Sequence, residues 1–365
     1  MLTVNRFVWL KHRSRMTFLH NQTVVAWLAM LLLSMPFVGI PSWAETSQRG
    51  EFFGAIETTH PDWFKESFLD FEEDIAEATV EDKRLVLYFH QDGCPYCNVL
   101  VEDNFKDPDI LDFMQANFDL VAINMWGDRE VVQVGGQSFT EKTLASALEV
   151  NFTPTLLFFS EEREVVFRLD GYRPPKDFFH ILNYVAEQRE REQTFAEYLS
   201  LVSQPNTSTP LVEAGWPVLQ LLDLSKTTSR PLAVLFEEPN CEVCQLLHQK
   251  TFRNKNAAPI LEQFTLVRYN RWSEDQVIRP DGTSSTIRQW SRDLGLEYAP
   301  AIVLYDSDGQ QVLVLDAMFK TFHILGSLEY VASGAYRREP SFQRYLSERA
   351  DLIRETGQDV DIWRY

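Results

Sequence analysis

The chain has 365 residues, of which 34 are Lys or Arg, 53 are Asp or Glu and 45% are hydrophobic. A chain of this length and hydrophobic content can bury at least one full hydrophobic core, and two domains fit the length better than one. The formal net charge of −19 argues against a nucleic-acid or anionic-membrane partner, because such surfaces repel it. The four cysteines form two close pairs, Cys94/Cys97 and Cys241/Cys244, which excludes a disulfide-dense mini-scaffold.

Residues 1–44 have the pattern of an export signal. Four basic residues come first, an uncharged stretch from Thr23 to Ile40 follows, and Ser42 and Ala44 place small residues where a signal peptidase reads. The alternative is an uncleaved inner-membrane anchor facing the periplasm, because the uncharged region is long enough to span a bilayer. Either way the sequence predicts a protein exported to the periplasm, a compartment in which disulfides persist.

An internal repeat organises the rest of the chain. Residues 85–97 (LVLYFHQDGCPYC) match residues 232–244 (LAVLFEEPNCEVC) at an offset of 147. Further on, Phe152-Thr153-Pro154 pairs with Tyr298-Ala299-Pro300 at an offset of 146. Two copies of one domain are therefore predicted in tandem.

Each copy predicts the same order of elements. A helix comes first, a buried strand follows, the cysteine pair opens a second helix, and a second strand leads into a hairpin, a helix, two strands and a final helix. Alternation of this kind predicts an α/β fold, a three-layer α/β/α sandwich. The predicted bounds that bear on the structure are Pro61–Ala78 and Trp216–Leu224 for the first helices, Cys94–Phe105 and Cys241–Phe252 for the cysteine helices, and 126–140 and 272–285 for the hairpins.

The predicted domain boundaries follow from these patterns. The polar, proline-flanked stretch 204–210 predicts a flexible linker that lets the domains move independently. The charged helix Phe342–Glu355 is interpreted as a solvated cap. The organisation is then a signal peptide or anchor at 1–44, a first domain at 55–190, a linker at 191–213, a second domain at 214–335 and a C-terminal helical extension at 336–365.

Each C-x-x-C pair at the start of a helix has a redox interpretation. The first sulfur faces the unpaired N–H groups of the helix, which favour its thiolate, and the second can attack a mixed disulfide formed by the first. Cys94 and Cys241 are thus candidate attacking thiols, and Cys97 and Cys244 candidate resolving thiols. Zinc binding and a structural disulfide are the alternatives for an isolated pair.

The sequence resembles two tandem thioredoxin-like domains, closest in character to the exported bacterial thioredoxins of the SoxW type. The resemblance rests on Gly93-Cys-Pro-Tyr-Cys97 with Thr153-Pro154, and on Cys241-Glu-Val-Cys244 with Ala299-Pro300. In that family the proline is cis and the residue before it binds an extended substrate through its backbone. The resemblance therefore implies the following substrate-binding positions: Thr153, Pro154, Ala299, Pro300, Pro95 and Tyr96.

The sequence also departs from the family pattern. Cytosolic thioredoxins carry a buried aspartate six residues before the first cysteine, and here those places hold Tyr88 and Leu235. His90 and Asp92 are candidate proton carriers, but His90 is expected to face the surface or to pack as a neutral core group.

Three glutamates surround the second pair. Glu242 lies between its cysteines, and Glu237 and Glu238 come just before them. Negative charge there is expected to raise the pKa of Cys241, which would make this site slower and more reducing than the first. If electrons pass between the domains, they are then predicted to run from Cys241/Cys244 to Cys94/Cys97. The alternative is a stable bridge in a binding module.

The sequence predicts a periplasmic thiol-disulfide oxidoreductase that reduces or isomerises disulfides in exported proteins. No organic cofactor and no metal are expected, because the dithiol itself carries two electrons. Recharging a reductase in an oxidising compartment implies a membrane electron donor. The alternative function is a non-catalytic chaperone that binds polypeptides through aromatic residues such as Trp126, Phe139 and Trp272.

Overall fold

The computed structural model describes residues 49–134, 137–202, 209–226 and 229–364. The predicted signal peptide or anchor, residues 1–44, lies outside these ranges. Among the described residues, no helix has both the length and the apolar character needed to cross a membrane.

The first repeat follows the predicted order of elements. Its elements are β1 (Phe52–Phe53), α1 (Phe71–Val80), β2 (Arg84–His90), α2 (Pro95–Val99), α3 (Pro108–Asn117), β3 (Phe118–Asn124), β4 (Glu130–Val134), β5 (Gln137–Thr140), α4 (Glu141–Ala147), β6 (Thr155–Phe159), β7 (Val165–Asp170), α5 (Pro175–Ala186) and α6 (Phe195–Val202). A π-helical turn, Leu100–Asn104, continues α2.

Among the described residues, the second repeat has counterparts of the elements of the first except β1 and α1, and it ends in an additional strand. Its elements are β8 (Leu232–Glu237), α7 (Glu242–Leu246), α8 (Ala258–Leu261), β9 (Thr265–Asn270), β10 (Gln276–Ile278), β11 (Ser284–Thr286), α9 (Ile287–Asp293), β12 (Ala301–Tyr305), β13 (Gln311–Leu315), α10 (Thr321–Ala332), α11 (Phe342–Glu355) and β14 (Val360–Asp361). A π-helical turn, Leu247–Thr251, continues α7.

Each repeat is built on a four-stranded mixed sheet. The strand orders are β3-β2-β6-β7 and β13-β12-β8-β9. The pairs β2/β3 and β8/β9 are parallel, and the other pairs in these two sheets are antiparallel. Every residue from Leu85 to Phe89 is buried, which confirms a strand covered on both faces.

Helices cover both faces of each sheet. In the first repeat, Ile75 of α1 and Leu144 of α4 pack on one face, while Leu100 and Phe178 pack on the other. In the second repeat, Trp290 of α9 belongs to the core on one face and α10 covers the opposite face. The predicted three-layer α/β/α architecture is therefore confirmed in both repeats.

The first helix begins later than the sequence pattern predicts. Helix α1 starts at Phe71 rather than Pro61, because the side chain of Asp70 accepts a hydrogen bond from an N–H group of the first turn and caps it. The preceding segment runs along the sheet edge, where the N–H of Lys65 donates to the carbonyl of Leu120 at 2.8 Å. The open edge of the sheet thus supplies hydrogen-bond partners to the backbone of this segment, which therefore does not need a helix to satisfy its N–H and C=O groups.

The prediction of a helix over Trp216–Leu224 is wrong. Leu219 instead forms a parallel bridge with Val267 of β9. Its N–H donates to the carbonyl of Leu266 at 2.8 Å, and its carbonyl accepts from the N–H of Arg268 at 3.3 Å. The free edge of β9 gives this short segment backbone bonds, whereas a short isolated helix is only marginally stable.

Both predicted hairpins are present. Strand β4 pairs with β5, and β10 pairs with β11, in each case antiparallel. The two glycines between β4 and β5, Gly135 and Gly136, lie outside the described ranges. Each hairpin leads directly into the next helix, α4 or α9. The paired strands of the insert are therefore present in both repeats.

The two repeats share a core, so the prediction that they move independently is wrong. The described residues of both repeats belong to one compact unit. One continuous cluster of buried side chains includes Phe152 of the first repeat and Phe319 of the second, whose ring centroids are 5.1 Å apart. Arg173 and Asp316 form a largely buried ion pair at 3.2 Å between the repeats. The apolar surface that each repeat buries against the other favours this single arrangement.

The predicted linker, 191–213, and the predicted extension, 336–365, contain matching helices. Phe195 begins α6 and Phe342 begins α11, and both helices start with the pattern Phe-x-x-Tyr-Leu-Ser. Each of these phenylalanine rings contacts a tyrosine on the preceding helix of its own repeat. The structural repeat therefore continues beyond the final helix that the sequence pattern reveals.

Helix α11 has the predicted bounds but is not a solvated cap. Phe342, Leu346 and Ala350 are buried, and their spacing of four residues places them on one face of the helix. Strand β14, which follows, pairs in parallel with β1 near the start of the described chain. The prediction of a solvated helix is wrong because this apolar stripe packs into the shared core.

Candidate active site: two disulfides at a shared interface

The first cysteine pair forms a disulfide at the start of α2. Cys94 is the N-cap residue, and the N–H of Cys97 donates to its Sγ at 3.1 Å. Pro95 takes the first helical position, where its missing N–H costs no intrahelical bond. Gly93 has a φ of +69°, a conformation that glycine adopts without strain. The local sequence therefore places the first sulfur at a helix N-terminus, where N–H groups favour a thiolate.

The second pair repeats this geometry. Cys241 and Cys244 form a disulfide, Cys241 is the N-cap of α7, and the N–H of Cys244 donates to its Sγ at 3.0 Å. Asn240, at the position of Gly93, has a φ of +59°, which asparagine tolerates better than most residues. Both pairs thus carry the arrangement that the C-x-x-C spacing predicts.

The predicted docking residues lie beside the cysteines. The peptide bonds Thr153–Pro154 and Ala299–Pro300 are cis, as the resemblance implies. In each repeat the carbonyl oxygen before the proline lies close to the sulfur of the first cysteine, at 3.6 Å in the first repeat and 3.5 Å in the second. Each repeat therefore brings together the cysteine pair and the loop that the motifs single out.

The two sites differ in exposure. Cys94 is 3% exposed, and both Pro95 and Tyr96 between the cysteines are buried. Cys241 is 9% exposed and Glu242, its neighbour, is exposed to solvent. The first site is therefore the more enclosed of the two.

A cavity of about 330 Å³ lies beside Cys94. Thr153 of the first repeat, Phe319 of the second repeat, and Gln343 and Leu346 of helix α11 all line it. The first site is thus built from both repeats and from the C-terminal helix, a contribution that no local motif signals.

A second cavity, of about 230 Å³, lies beside Cys241. Arg173 from the first repeat lines it together with Glu297 and Tyr298, and the guanidinium of Arg173 lies 4.8 Å from the centre of the Tyr298 ring. Burial raises the pKa of Glu297 well above its usual value, and the negative charge of Asp316 acts in the same direction. This carboxyl therefore keeps its proton to a higher pH than a free glutamate does.

Tyr96 connects the first site to the second repeat. The N–H of Lys320 donates to its hydroxyl oxygen at 2.8 Å, and that hydroxyl lies 3.2 Å from Nδ1 of His323. The direction of this hydrogen bond depends on which ring nitrogen of His323 carries the proton. Burial lowers the pKa of His323 to about 3, so the ring is neutral at neutral pH. Tyr96, predicted as a substrate-binding residue, thus lines the cavity and also bonds to the second repeat.

Glu237 does not act as the isolated negative charge that the sequence suggests. It is fully buried, and its carboxylate bonds to Arg268 at 2.7 Å and to Nε2 of His248 at 2.7 Å. The N–H of Gly215 donates to Nδ1 of His248, so Nε2 carries the proton and donates to Glu237. The charge of Glu237 is therefore compensated by Arg268, which weakens its expected effect on Cys241.

The two candidate proton carriers near the first pair differ in exposure: Asp92 is exposed and lines the cavity beside Cys94, whereas His90 is partly buried. Burial lowers the pKa of His90 to about 3, and the nearby positive charges of His60 and Arg129 act in the same direction. The ring of His90 contacts that of His60, with centroids 4.3 Å apart. Tyr88 is fully buried, and burial raises the pKa of its hydroxyl. His90 therefore packs as a neutral group, as expected.

The tryptophans proposed as a peptide surface are bonded to the strands that lead to the cysteines. Nε1 of Trp126 donates to Gln91 at 2.8 Å, and Nε1 of Trp272 donates to Glu238 at 3.1 Å. Phe139 packs against a buried core. These contacts give the aromatic residues structural partners within their own repeats.

Several solved structures are similar to parts of this chain. A thioredoxin-fold protein from Helicobacter pylori is 20% identical, with 34% of this chain and 86% of that chain covered and a TM-score of 0.30. The C-terminal domain of Neisseria meningitidis DsbD in its oxidised form is 15% identical, with 33% and 89% covered and a TM-score of 0.23. The periplasmic thioredoxin SoxS from Paracoccus pantotrophus in its reduced form is 22% identical, with 29% and 99% covered and a TM-score of 0.21.

The family assignment rests on a different comparison. No curated protein matches the chain significantly. The family model described as a thioredoxin-like domain matches it twice, at residues 71–186 and 220–332, which together make up more than half of its length. These two regions carry the C-x-x-C pairs, a combination that supports thiol-disulfide oxidoreductase chemistry in general. The chain therefore belongs to the thioredoxin-like family, with two such domains in tandem.

Proposed function

We propose that this protein is an exported thiol-disulfide oxidoreductase that reduces or isomerises disulfides in exported polypeptides through Cys94 and Cys97. One observation carries the proposal. The sulfur of Cys94 accepts the N–H of Cys97 at a helix N-terminus and lies 3.6 Å from the carbonyl oxygen of Thr153. A nucleophile and a backbone acceptor for an extended substrate are thereby brought together.

The reaction uses the two sulfurs in turn. In the reduced protein, the Cys94 thiolate attacks one sulfur of a substrate disulfide and releases the other as a thiolate, which takes up a proton. Cys97 then loses its proton and attacks Cys94 Sγ, which releases the second substrate thiol and leaves the Cys94–Cys97 disulfide. Two electrons pass to the substrate, and the carbonyl of Thr153 with Pro154 holds its backbone beside the sulfur.

We propose that any electrons that pass between the two pairs run from Cys241/Cys244 to Cys94/Cys97. Glu238 and Glu242 remain close to Cys241, and both line its cavity. Their negative charge disfavours the thiolate and favours the disulfide, which makes this pair the more reducing. With Glu237 compensated by Arg268, we expect a smaller difference between the pairs than three free carboxylates would produce.

The proposal includes a periplasmic location and a membrane electron donor that recharges the protein. Its support is the signal-like pattern of residues 1–44 and the two cysteine pairs in an otherwise cysteine-free chain. Fractionation of cells that express the full chain, followed by N-terminal sequencing of the product, tests location and cleavage together. A cytoplasmic product with an intact N-terminus would contradict both.

The reduction potential of each pair tests the function directly. Cys94/Cys97 is titrated in a C241S/C244S variant and Cys241/Cys244 in a C94S/C97S variant, by equilibration against glutathione and dithiothreitol. We expect the first pair to lie near the value of thioredoxin, about −270 mV, and the second to be more negative. A first pair near −120 mV would indicate a disulfide donor, and failure of both pairs to exchange would overturn the proposed function.

A further inference from the structure

The surface around Cys94 is occupied by other parts of the same chain. Phe152 and Thr153 are 7% and 6% exposed, although they belong to the loop expected to receive substrate. The ring of Phe152 contacts Phe319 of the second repeat. Tyr96, next to Cys94, contacts Trp363 near the C-terminus at a centroid distance of 5.0 Å. The face on which a partner would dock is therefore already an intramolecular interface.

Helix α11 forms one wall of the cavity beside Cys94. Gln343 donates from Nε2 to the carbonyl of Asn151 at 3.0 Å, and its Oε1 accepts from Gln91 at 3.0 Å. Gln91 also donates to the hydroxyl of Thr153 at 3.0 Å. The helix is thus hydrogen-bonded directly to Asn151 and, through Gln91, to Thr153, so it is not a loosely attached flap.

The C-terminal part of helix α11 contacts the first residues of the described chain. Arg354 donates from Nε to the carbonyl of Gly50 at 2.9 Å, and Arg49 forms an ion pair with Asp351. Strand β1 pairs with β14 just beyond the helix. Phe52 of β1 and Ile362, which follows β14, both line the cavity. Contacts at both ends therefore keep α11 across the site.

The space that remains suits a short ligand. A volume of about 330 Å³ lies at the lower end of the range for small-molecule pockets, about 300 to 1,000 Å³. A folded protein partner needs about 800 Å² of matching surface on each side. Around Cys94 that surface is buried against the second repeat and α11, so a folded partner has little to contact.

We infer that the Cys94 site acts on disulfides carried by short or unfolded peptide segments and excludes disulfides on the surface of folded proteins. This inference rests on the proposed function and names its substrate class. A single extended strand can enter the cavity and reach the carbonyl of Thr153, with walls from Phe319 and Leu346 on its sides. The second repeat and α11 together act as the specificity element.

The electron balance is that of one thiol-disulfide exchange. Pre-reduced protein with Cys241 and Cys244 replaced by serine holds two reducing electrons in Cys94/Cys97. Cys94 attacks the peptide disulfide, Cys97 resolves the mixed disulfide, and the peptide leaves as a dithiol while Cys94–Cys97 becomes a disulfide. A single turnover needs no other reductant.

The test compares two forms of one disulfide in single-turnover experiments with that variant. The first probe is an eight-residue peptide closed by a disulfide, and the second is the same loop grafted onto the surface of a stable, cysteine-free carrier domain. Rates with free dithiothreitol normalise the intrinsic reactivity of the two probes. We expect the normalised rate with the peptide to exceed that with the graft by at least about 100-fold. Equal normalised rates would overturn the inference.

A matched pair of variants tests the wall itself. Ser347 is an exposed residue of α11 that lines the cavity, and its exposed neighbour Glu348 does not line it. We expect Ser347→Trp to lower the rate with the peptide at least tenfold and Glu348→Trp to leave it within twofold of the parent. Equal rates in the two variants would overturn the inference.

A glutathione titration distinguishes failure of this inference from failure of the proposed function. If Cys94/Cys97 equilibrates with glutathione but reduces the peptide no faster than the graft, the inference fails and the proposed function stands. If the pair exchanges with neither glutathione nor the peptide, the proposed function itself fails.

Discussion

Gly171 lies directly against Ala317, the residue that occupies the same position in the second repeat. A Cβ atom on Gly171 would stand 2.5 Å from the Cβ of Ala317, well inside contact distance. The N–H of Gly171 also donates to the carbonyl of Pro154 at 2.7 Å. This close contact between the two repeats is therefore coupled to the loop beside Cys94, and the smallest residue is needed there.

Gly171→Ala is expected to weaken the interface between the repeats. The added methyl must displace Ala317, and alanine is strained at a φ of +78°. We expect the free energy of unfolding, measured in urea, to fall by about 2 to 4 kcal/mol, because strain and overpacking both contribute. The matched control is Gly282→Ala, where φ is +85° and no atom lies within 4 Å, so only the strain of about 1 to 2 kcal/mol applies.

A second substitution, at Ala317, identifies the cause of the destabilisation by Gly171→Ala. Adding Ala317→Gly removes the opposing Cβ and should restore most of the difference between the two alanine variants. Equal destabilisation by Gly171→Ala and Gly282→Ala would contradict the close contact. A double variant no more stable than Gly171→Ala alone would contradict it as well.

Local patterns were sufficient to predict most of the fold within each repeat. The run from Leu85 to Phe89 predicts a central strand because continuous apolar sequence reflects cover on both faces. The same local information fails where edge pairing competes with helix formation, as at Leu219, whose backbone partners lie on β9. It also fails between repeats, because Phe152 and Phe319 each have the appearance of an ordinary core residue in the sequence.

The candidate site, like the fold, could be predicted only where local motifs mark its residues. Cys94 and Thr153 are found from motifs, since the cysteine spacing and the residue before proline carry local signatures. Gln343 has no such signature, because it reaches the site from a position 252 residues beyond Gln91. The pattern shared by α6 and α11, which begin at Phe195 and Phe342, is a sequence signal that could have shown the C-terminal helix to be part of the repeat rather than a solvated cap.

Glu237→Ala is expected to destabilise the second repeat strongly. The change leaves Arg268 and His248 without their buried partner, and removal of one member of a buried ion pair costs about 3 to 5 kcal/mol. Glu238→Ala is the matched control, since the neighbouring carboxylate is only partly buried and bonds to Trp272. We expect it to cost less than about 1.5 kcal/mol. Urea unfolding monitors both variants, and similar losses would contradict the assigned role of the cluster.

His323 is expected to make the protein sensitive to acid. Burial lowers its pKa to about 3 from an ordinary value of 6.5, and the positive charge of Arg349 acts in the same direction. The unfolded chain therefore binds a proton at a pH where the folded protein does not, so stability is lost as pH falls from 6.5 towards 3. Each such histidine contributes up to about 1.4 kcal/mol per pH unit in that window.

The variant His323→Gln isolates this contribution. Glutamine can still form a hydrogen bond with the hydroxyl of Tyr96, as donor or acceptor, but has no titratable group. We expect the free energy of unfolding of the natural protein to fall more steeply between pH 6 and pH 4 than that of the variant, by about 1 kcal/mol per pH unit. His90 titrates in the same window and remains in both proteins, so its contribution cancels. Parallel curves would show that His323 is not protonated on unfolding in this range.

Gln343 is expected to act as a positioning residue for the loop beside Cys94. It bonds to Asn151 and to Gln91, which in turn bonds to Thr153, and it touches neither sulfur. Gln343→Met keeps the length of the side chain and removes both hydrogen bonds, each of which contributes about 0.5 to 1.5 kcal/mol. We therefore expect KM for the disulfide peptide to rise about five- to tenfold, with kcat and the reduction potential of Cys94/Cys97 nearly unchanged.

A purely structural role for Gln343 would give a different result. Loss of stability alone would lower the amount of folded protein and leave KM as it was, so the separation of KM from kcat decides between the two roles. Glu348→Met is the control, since it lies on the same helix and does not line the cavity. An unchanged KM in Gln343→Met, or an equal rise in Glu348→Met, would show that substrate binding does not depend on the bonds from α11 to this loop.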